Sequence, residues 1–104
     1  METLHYRFEG GQRTLRPSAV VVGVVGSGNL EVLIEAAALD GACAIEVTTA
    51  AVGFGATWQA VINDFQQRWQ LMDARIAIND MGATPAVVGL RLDQAVESII
   101  GGAA

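Results

Sequence analysis

One serine stands in a setting suited to chemistry on its hydroxyl. Ser27 lies in Gly26-Ser27-Gly28, is followed by Asn29, and separates an apolar run from an alternating one. Glycine and asparagine tolerate the positive φ angles that short hairpin turns require, so this stretch reads as a tight turn. Its glycine neighbours carry no side chains, which leaves the hydroxyl open to a modifying enzyme. Nothing nearby in sequence resembles a catalytic base, so nucleophilic catalysis by Ser27 lacks support. The serine is also not in a hydrolase elbow, because Val25 and Asn29 occupy the positions where that motif needs glycine. Composition alone makes Ser27 a turn residue. If it does chemistry, it is an attachment point.

The remaining candidates have plainer readings. Cys43 alternates in phase with Ile45 and Val47, which makes it a small core residue; a reactive thiol would need an exposed, electropositive setting. His5 is the single histidine, so no histidine-based metal cluster can form, and it falls on the polar side of a strand. No metal site is expected. Asn79 and Asp80 terminate a strand and shape the loop after it. Trp58, Phe65 and Trp69 recur at helical spacing, which points to core packing rather than base stacking. The glycine pairs match neither a dinucleotide-binding fingerprint nor a phosphate-binding P-loop. No catalytic constellation survives.

These residues must be positioned by a small set of elements. Leu4 to Phe8 alternates as a half-buried strand, and Ser18 to Gly26 is apolar on both sides, which predicts a central strand. Leu30 to Glu35 resumes alternation, with Leu33 interrupting its polar side, and Cys43 to Thr49 alternates again. After the loop Val52-Gly53-Phe54-Gly55 the period changes. Trp58, Val61, Ile62, Phe65, Trp69 and Met72 form one helical stripe. Arg75 to Asn79 is a further strand. Thr84-Pro85 then supplies a cap and a first-turn proline for a second helix, whose apolar face is Val88, Leu92, Ala95, Val96 and Ile99 and whose end is Gly101-Gly102. The order β-β-β-β-α-β-α predicts an α+β two-layer sandwich: a mixed sheet with hairpins joining the early strands and both helices on one face. The open face would carry His5, Arg7, Glu31, Glu35, Glu46 and Arg75. Residues 1–104 fit a single domain.

Strand directions bring three glycine-bearing loops to one edge of that sheet: the Ser27 turn, Gly53–Gly55 and Gly82–Thr84. Two of them open helices, whose free N–H groups and dipole favour an anion, so a phosphate-bearing group held near Ser27 would be well received there.

Composition excludes several functions. The chain is 52% hydrophobic, has a net charge of −5 and contains no lysine. Residues 1–16 hold three arginines against two glutamates, and the remainder holds three arginines against nine acids. Such a body gives no footprint for nucleic acid or anionic membrane and favours basic protein partners. The longest uncharged stretch, Val47 to Asn63, is 17 residues and is interrupted by polar residues, against the ~20 mainly apolar residues that a membrane span needs. One cysteine and no apolar leader segment predict a cytoplasmic protein.

Four segments carry a family resemblance. The run Val24-Val25-Gly26-Ser27-Gly28-Asn29-Leu30-Glu31-Val32-Leu33 resembles the modification site of the acyl carrier (delta) subunits of bacterial malonate decarboxylases. Gly53-Phe54-Gly55-Ala56-Thr57-Trp58 and Ile78-Asn79-Asp80-Met81-Gly82-Ala83-Thr84-Pro85 resemble the same family, as does the opening Met1-Glu2-Thr3-Leu4. Asn29 stands where the family form of the site has Asp. The resemblance implies a serine, here Ser27, bearing 2′-(5″-phosphoribosyl)-3′-dephospho-coenzyme A through a phosphodiester, with Gly26, Gly28 and Asn29 as its flanking turn. Gly53, Gly55, Gly82 and Thr84 are the candidate contacts to that group. It further implies a carrier subunit that is not itself an enzyme. A transferase subunit would exchange acetyl for malonyl on the arm's thiol, and decarboxylase subunits would then remove carbon dioxide. A prosthetic-group transferase and a malonyl-loading enzyme are the other implied partners. The citrate lyase acyl carrier subunit uses a related group and is the nearest alternative. An unmodified α+β binding or regulatory domain and a stand-alone hydrolase using Ser27 also stay open, and covalent modification of Ser27 separates the first of these from the carriers.

Overall fold

A computed structural model describes residues 1–14, 20–24, 30–83 and 85–100. The elements are β1 (Glu2–Phe8), β2 (Arg13–Thr14), β3 (Val20–Val24), β4 (Leu30–Ala36), β5 (Cys43–Thr49), α1 (Gly55–Trp69), β6 (Leu71–Met72), β7 (Ala74–Asp80) and α2 (Pro85–Ile100). Five strands form the main sheet in the order β1-β5-β7-β4-β3, and β2 with β6 makes a second, two-stranded one. Only β5 and β7 run parallel within the main sheet; the other neighbours are antiparallel. The result is the expected α+β sandwich with a mixed sheet.

Why the strands form is legible in their alternation. In β4, β5 and β7, every second residue is buried, from Leu30, Val32 and Ile34 through Cys43, Ile45 and Val47 to Ile76 and Ile78. These side chains meet Trp58, Ile62 and Phe65 of α1 and Val88, Leu92, Ala95 and Val96 of α2 in one core. Helix α1 lies toward the β1 side and α2 over β3 and β4. The two helices are also clasped by polar contacts: Asp93 accepts from the Trp69 indole at 2.8 Å and from the Arg68 guanidinium at 2.8 Å.

Three expectations are corrected. The run ending in Val24 forms an edge strand, not a central one, because β3 pairs with β4 alone. Two-sided apolarity describes the faces of a strand, whereas position in a ladder depends on which strands compete for each edge. Helix α1 returns the chain so that β7 aligns parallel to β5, and β7 thereby takes the centre. For the same reason β4 and β5 are not a hairpin: β7 lies between them, and β1 pairs with β5 instead of β3. Met72 does not continue the α1 stripe. The helix stops at Gln70, which adopts a left-handed conformation (φ 49°) and donates its N–H to the Gln66 carbonyl. Beyond these, the chain after Gly10-Gly11 runs into β2, which pairs in parallel with β6.

The uncovered face of the sheet carries His5 and the five charged residues assigned to it. Cross-strand rows read Thr3–Thr48–Asn79–Glu31, His5–Glu46–Ala77–Leu33 and Arg7–Ala44–Arg75–Glu35. His5 Nδ1 lies 3.7 Å from Glu46, and an Arg75 guanidinium nitrogen lies 3.9 Å from Glu35, so the Arg75–Glu35 pair sets opposite charges side by side across the ladder.

Candidate functional site

The edge of the sheet where β5 and β7 end holds the groups of interest. Ser27 with Gly26, Gly28 and Asn29, and also Thr84, lie outside the described residues. What brackets them is described. β3 ends at Val24 and β4 begins at Leu30, whose register partner is Asp80 at the end of β7. Thr49 at the end of β5 is the other register partner of Asp80. The segment containing Ser27 therefore connects two strands at the same edge as the Gly53–Gly55 and Gly82–Ala83 loops, as the strand directions predicted.

Asp80 organises this edge. It is 3% exposed, accepts a hydrogen bond from the Thr49 hydroxyl at 2.8 Å, and accepts two more from the backbone N–H groups of Gly82 (3.1 Å) and Ala83 (2.7 Å). Thr49 Oγ1 in turn accepts from the Ala51 N–H at 3.1 Å, so one carboxylate ties both loops to the strand ends. The loop-shaping reading of Asp80 is correct, and its reach across to Thr49 was invisible in sequence because the two residues are 31 apart. A carboxylate takes a loop N–H ahead of each helix. Ahead of α2, the N–H of Gly82 is donated to Asp80. Ahead of α1, Phe54 occupies the cap without a side-chain cap bond, and the N–H of Gly53 is donated to Glu2 at 3.4 Å.

Beside Asp80 lies a pocket of about 390 Å³ that the sequence did not reveal. Thr57, Trp58 and Val61 of α1 form one side, and Ala51, Phe54 and Ala83 of the two loops form the other. Phe54, which lines the pocket, is 53% exposed, and Val52 and Met81 of the same two loops are 65% and 58% exposed. A signal existed: Phe54 is a large apolar residue held between two glycines in a loop, where core packing does not call for one. Gly53 and Gly82 have φ angles of +91° and +128°, so both loops depend on glycine there. A Cβ at Gly53, Gly55 or Gly82 would meet nothing, which leaves that side of the loops open.

The other candidates behave as structural residues. Cys43 is fully buried, and burial pushes its thiol up to about 12. His5 sits on the uncovered face beside Glu46. Trp58 and Phe65 are core residues, and Trp69 is half-buried with the Arg13 guanidinium 5.6 Å from its ring centre. Among the described residues no group of histidine, cysteine or acidic side chains could hold a metal, and no helix is long and apolar enough to cross a membrane.

Fold and site together define a small two-layer α+β protein that offers an apolar pocket and glycine loops at one sheet edge and a charged, uncovered sheet face. Comparison with known proteins makes this specific. A family model described as malonate decarboxylase delta subunit (MdcD) matches residues 18–99. The malonate decarboxylase acyl carrier protein of Stenotrophomonas maltophilia (strain K279a) is 64% identical over 103 residues, spanning 98% of this chain and 97% of its own. Those of Xanthomonas euvesicatoria pv. vesicatoria (strain 85-10) and Burkholderia cepacia are 61% and 52% identical, over 97% and 95% of this chain and 97% and 91% of their own. A chain in the crystal structure of a Pseudomonas malonate decarboxylase hetero-tetramer in complex with malonate is 40% identical, with a TM-score of 0.77 over 95% of this chain and 99% of that one. The chain belongs to the malonate decarboxylase acyl carrier (delta subunit) family.

Proposed function

We propose that this chain is the acyl carrier subunit of a malonate decarboxylase complex and that Ser27 bears phosphoribosyl-dephospho-CoA through a phosphodiester. The observation that carries the reading is the match, over nearly the whole chain, to proteins named as malonate decarboxylase acyl carriers. Those names favour malonate over the citrate lyase alternative. The described edge fits such a group: its loops are open on the glycine side, α1 begins there without a capping side chain, and an apolar pocket adjoins it. When bound, the group would supply a thiol on which acetyl and malonyl travel as thioesters.

The chain's own residues would do the holding. Ser27, in the segment between β3 and β4, would carry the group, and the start of α1 at Gly55 lies at the same edge, where a helix N-terminus suits a phosphate. Asp80 would keep both loops in place through its hydrogen bonds from Thr49, Gly82 and Ala83. The uncovered sheet face, with charges of both signs, would be available to the transferase and decarboxylase subunits that this reading implies, and to the enzymes that attach and load the arm. Chemistry on the acyl group would then belong to those partners, and this chain would move it between them in the cytoplasm.

Intact mass tests the reading. The chain isolated from malonate-grown cells should be heavier by one phosphoribosyl-dephospho-CoA, mapped by peptide sequencing to Ser27. An unmodified mass from a complex that still decarboxylates malonate would overturn it.

A further inference from the structure

We propose that the pocket between the Gly53 loop and the Asp80–Ala83 loop seats the uncharged pantetheine and acetyl-thioester end of the group carried at Ser27, keeping the thioester from water between visits to the partner subunits. The inference rests on the carrier reading and adds a binding site to it. Three observations point the same way. The pocket is apolar-walled and, at about 390 Å³, falls within the ~300–1,000 Å³ range of small-molecule sites. It adjoins the start of β4: Leu30 is the register partner of Asp80, which lines the pocket. Two residues, Gly28 and Asn29, separate Ser27 from Leu30, a span of at most ~10 Å of chain.

The chemistry of the lining selects the occupant. The charged residue in the pocket is a carboxylate, Asp80, and Glu2 reaches the Gly53 N–H nearby at 3.4 Å. These two carboxylates disfavour a phosphate there and leave an uncharged chain as the better occupant. Pantetheine has no charge, a geminal dimethyl group to lie against Phe54 and Val61, and amides within reach of the Thr57 hydroxyl. Tethering makes weak binding sufficient, since a short flexible link gives an effective concentration near the millimolar range. Phe54, half-exposed at the rim, is suited to move as the arm enters and leaves.

The test uses the modified, acetylated carrier on its own. Mass spectrometry first establishes the modification. Nuclear Overhauser contacts are then sought between the geminal methyls of the arm and the rings of Phe54 and Trp58, and the hydrolysis rate of the carrier's acetyl thioester is compared with that of free acetyl-CoA. Contacts are expected, with hydrolysis several-fold slower than for acetyl-CoA. Phe54→Ala, at a half-exposed position that makes no side-chain cap bond, should keep the fold and bring hydrolysis back toward the free rate. Modified carrier with no such contacts and free-rate hydrolysis would overturn the pocket while leaving the carrier reading intact. Contacts that vanish on dilution would assign the arm to a neighbouring molecule and also overturn it. An unmodified serine would overturn both.

Discussion

Burial of Cys43 on the helix-facing side of β5 takes its sulfur out of water and raises its thiol to about 12. A thiol is nucleophilic only as thiolate, so native protein should resist iodoacetamide at mildly alkaline pH and become labelled at one site only on unfolding. Rapid labelling of the native chain would show that β5 is not packed as described. Asp73 makes the opposite case, a carboxylate held charged. It accepts backbone N–H bonds from Gly41 at 2.9 Å and Leu39 at 3.0 Å, and these lower its pKa below the ordinary value of 3.8. A lowered folded value gives stability that is present above the unfolded pKa and lost as pH falls through the folded one. Asp73→Asn, which keeps tolerance of the left-handed backbone seen there (φ 51°), should be less stable than the native chain at neutral pH. The gap should close in denaturant titrations taken below about pH 3.8, the unfolded carboxylate value.

At the scale of elements, two glycines have opposite roles. Gly11 lies against the backbone of β6, where an added Cβ would sit 2.2 Å from the Leu71 carbonyl oxygen. Gly11→Ala should therefore force β2 away from β6 and lower the unfolding midpoint. Gly89 is inside α2, and a Cβ there would meet nothing within 4 Å. Gly89→Ala should raise stability by about 0.5–1 kcal/mol, the ordinary helix-interior difference between the two residues. Both are checked by the same denaturant titration, and a stabilised Gly11→Ala would refute the close approach of the two chains. Helix α1 shows how an element boundary escapes periodicity. Met72 stays in phase with the apolar stripe, yet the left-handed Gln70 ends the helix before it, and Gln66 then uses its amide to donate to the Leu71 carbonyl at 2.9 Å.

For the whole molecule, the carrier reading separates folding from function. The core is made by β4, β5, β7 and the two helices, and Ser27 belongs to none of these elements. Ser27→Ala should thus unfold at the native midpoint while abolishing malonate decarboxylation by the assembled complex. Retained activity would remove Ser27 from the reaction.

Local spacing alone determined a good deal about this protein. Period-2 alternation identified β1, β4, β5 and β7 and the residues each buries, and period 3.6 identified both helices. The charges of the uncovered face followed directly, because alternation assigns every second side chain to the side the helices leave bare. The tertiary structure decided what depends on residues distant in sequence: β7 inserted between β4 and β5, β3 at the edge, the Thr49–Asp80 clasp and the pocket under Phe54. Strand order follows from competition among edges for partners, and a pocket follows from how two loops converge. Neither quantity is carried by any one stretch of chain, so neither could be read until the chain was folded.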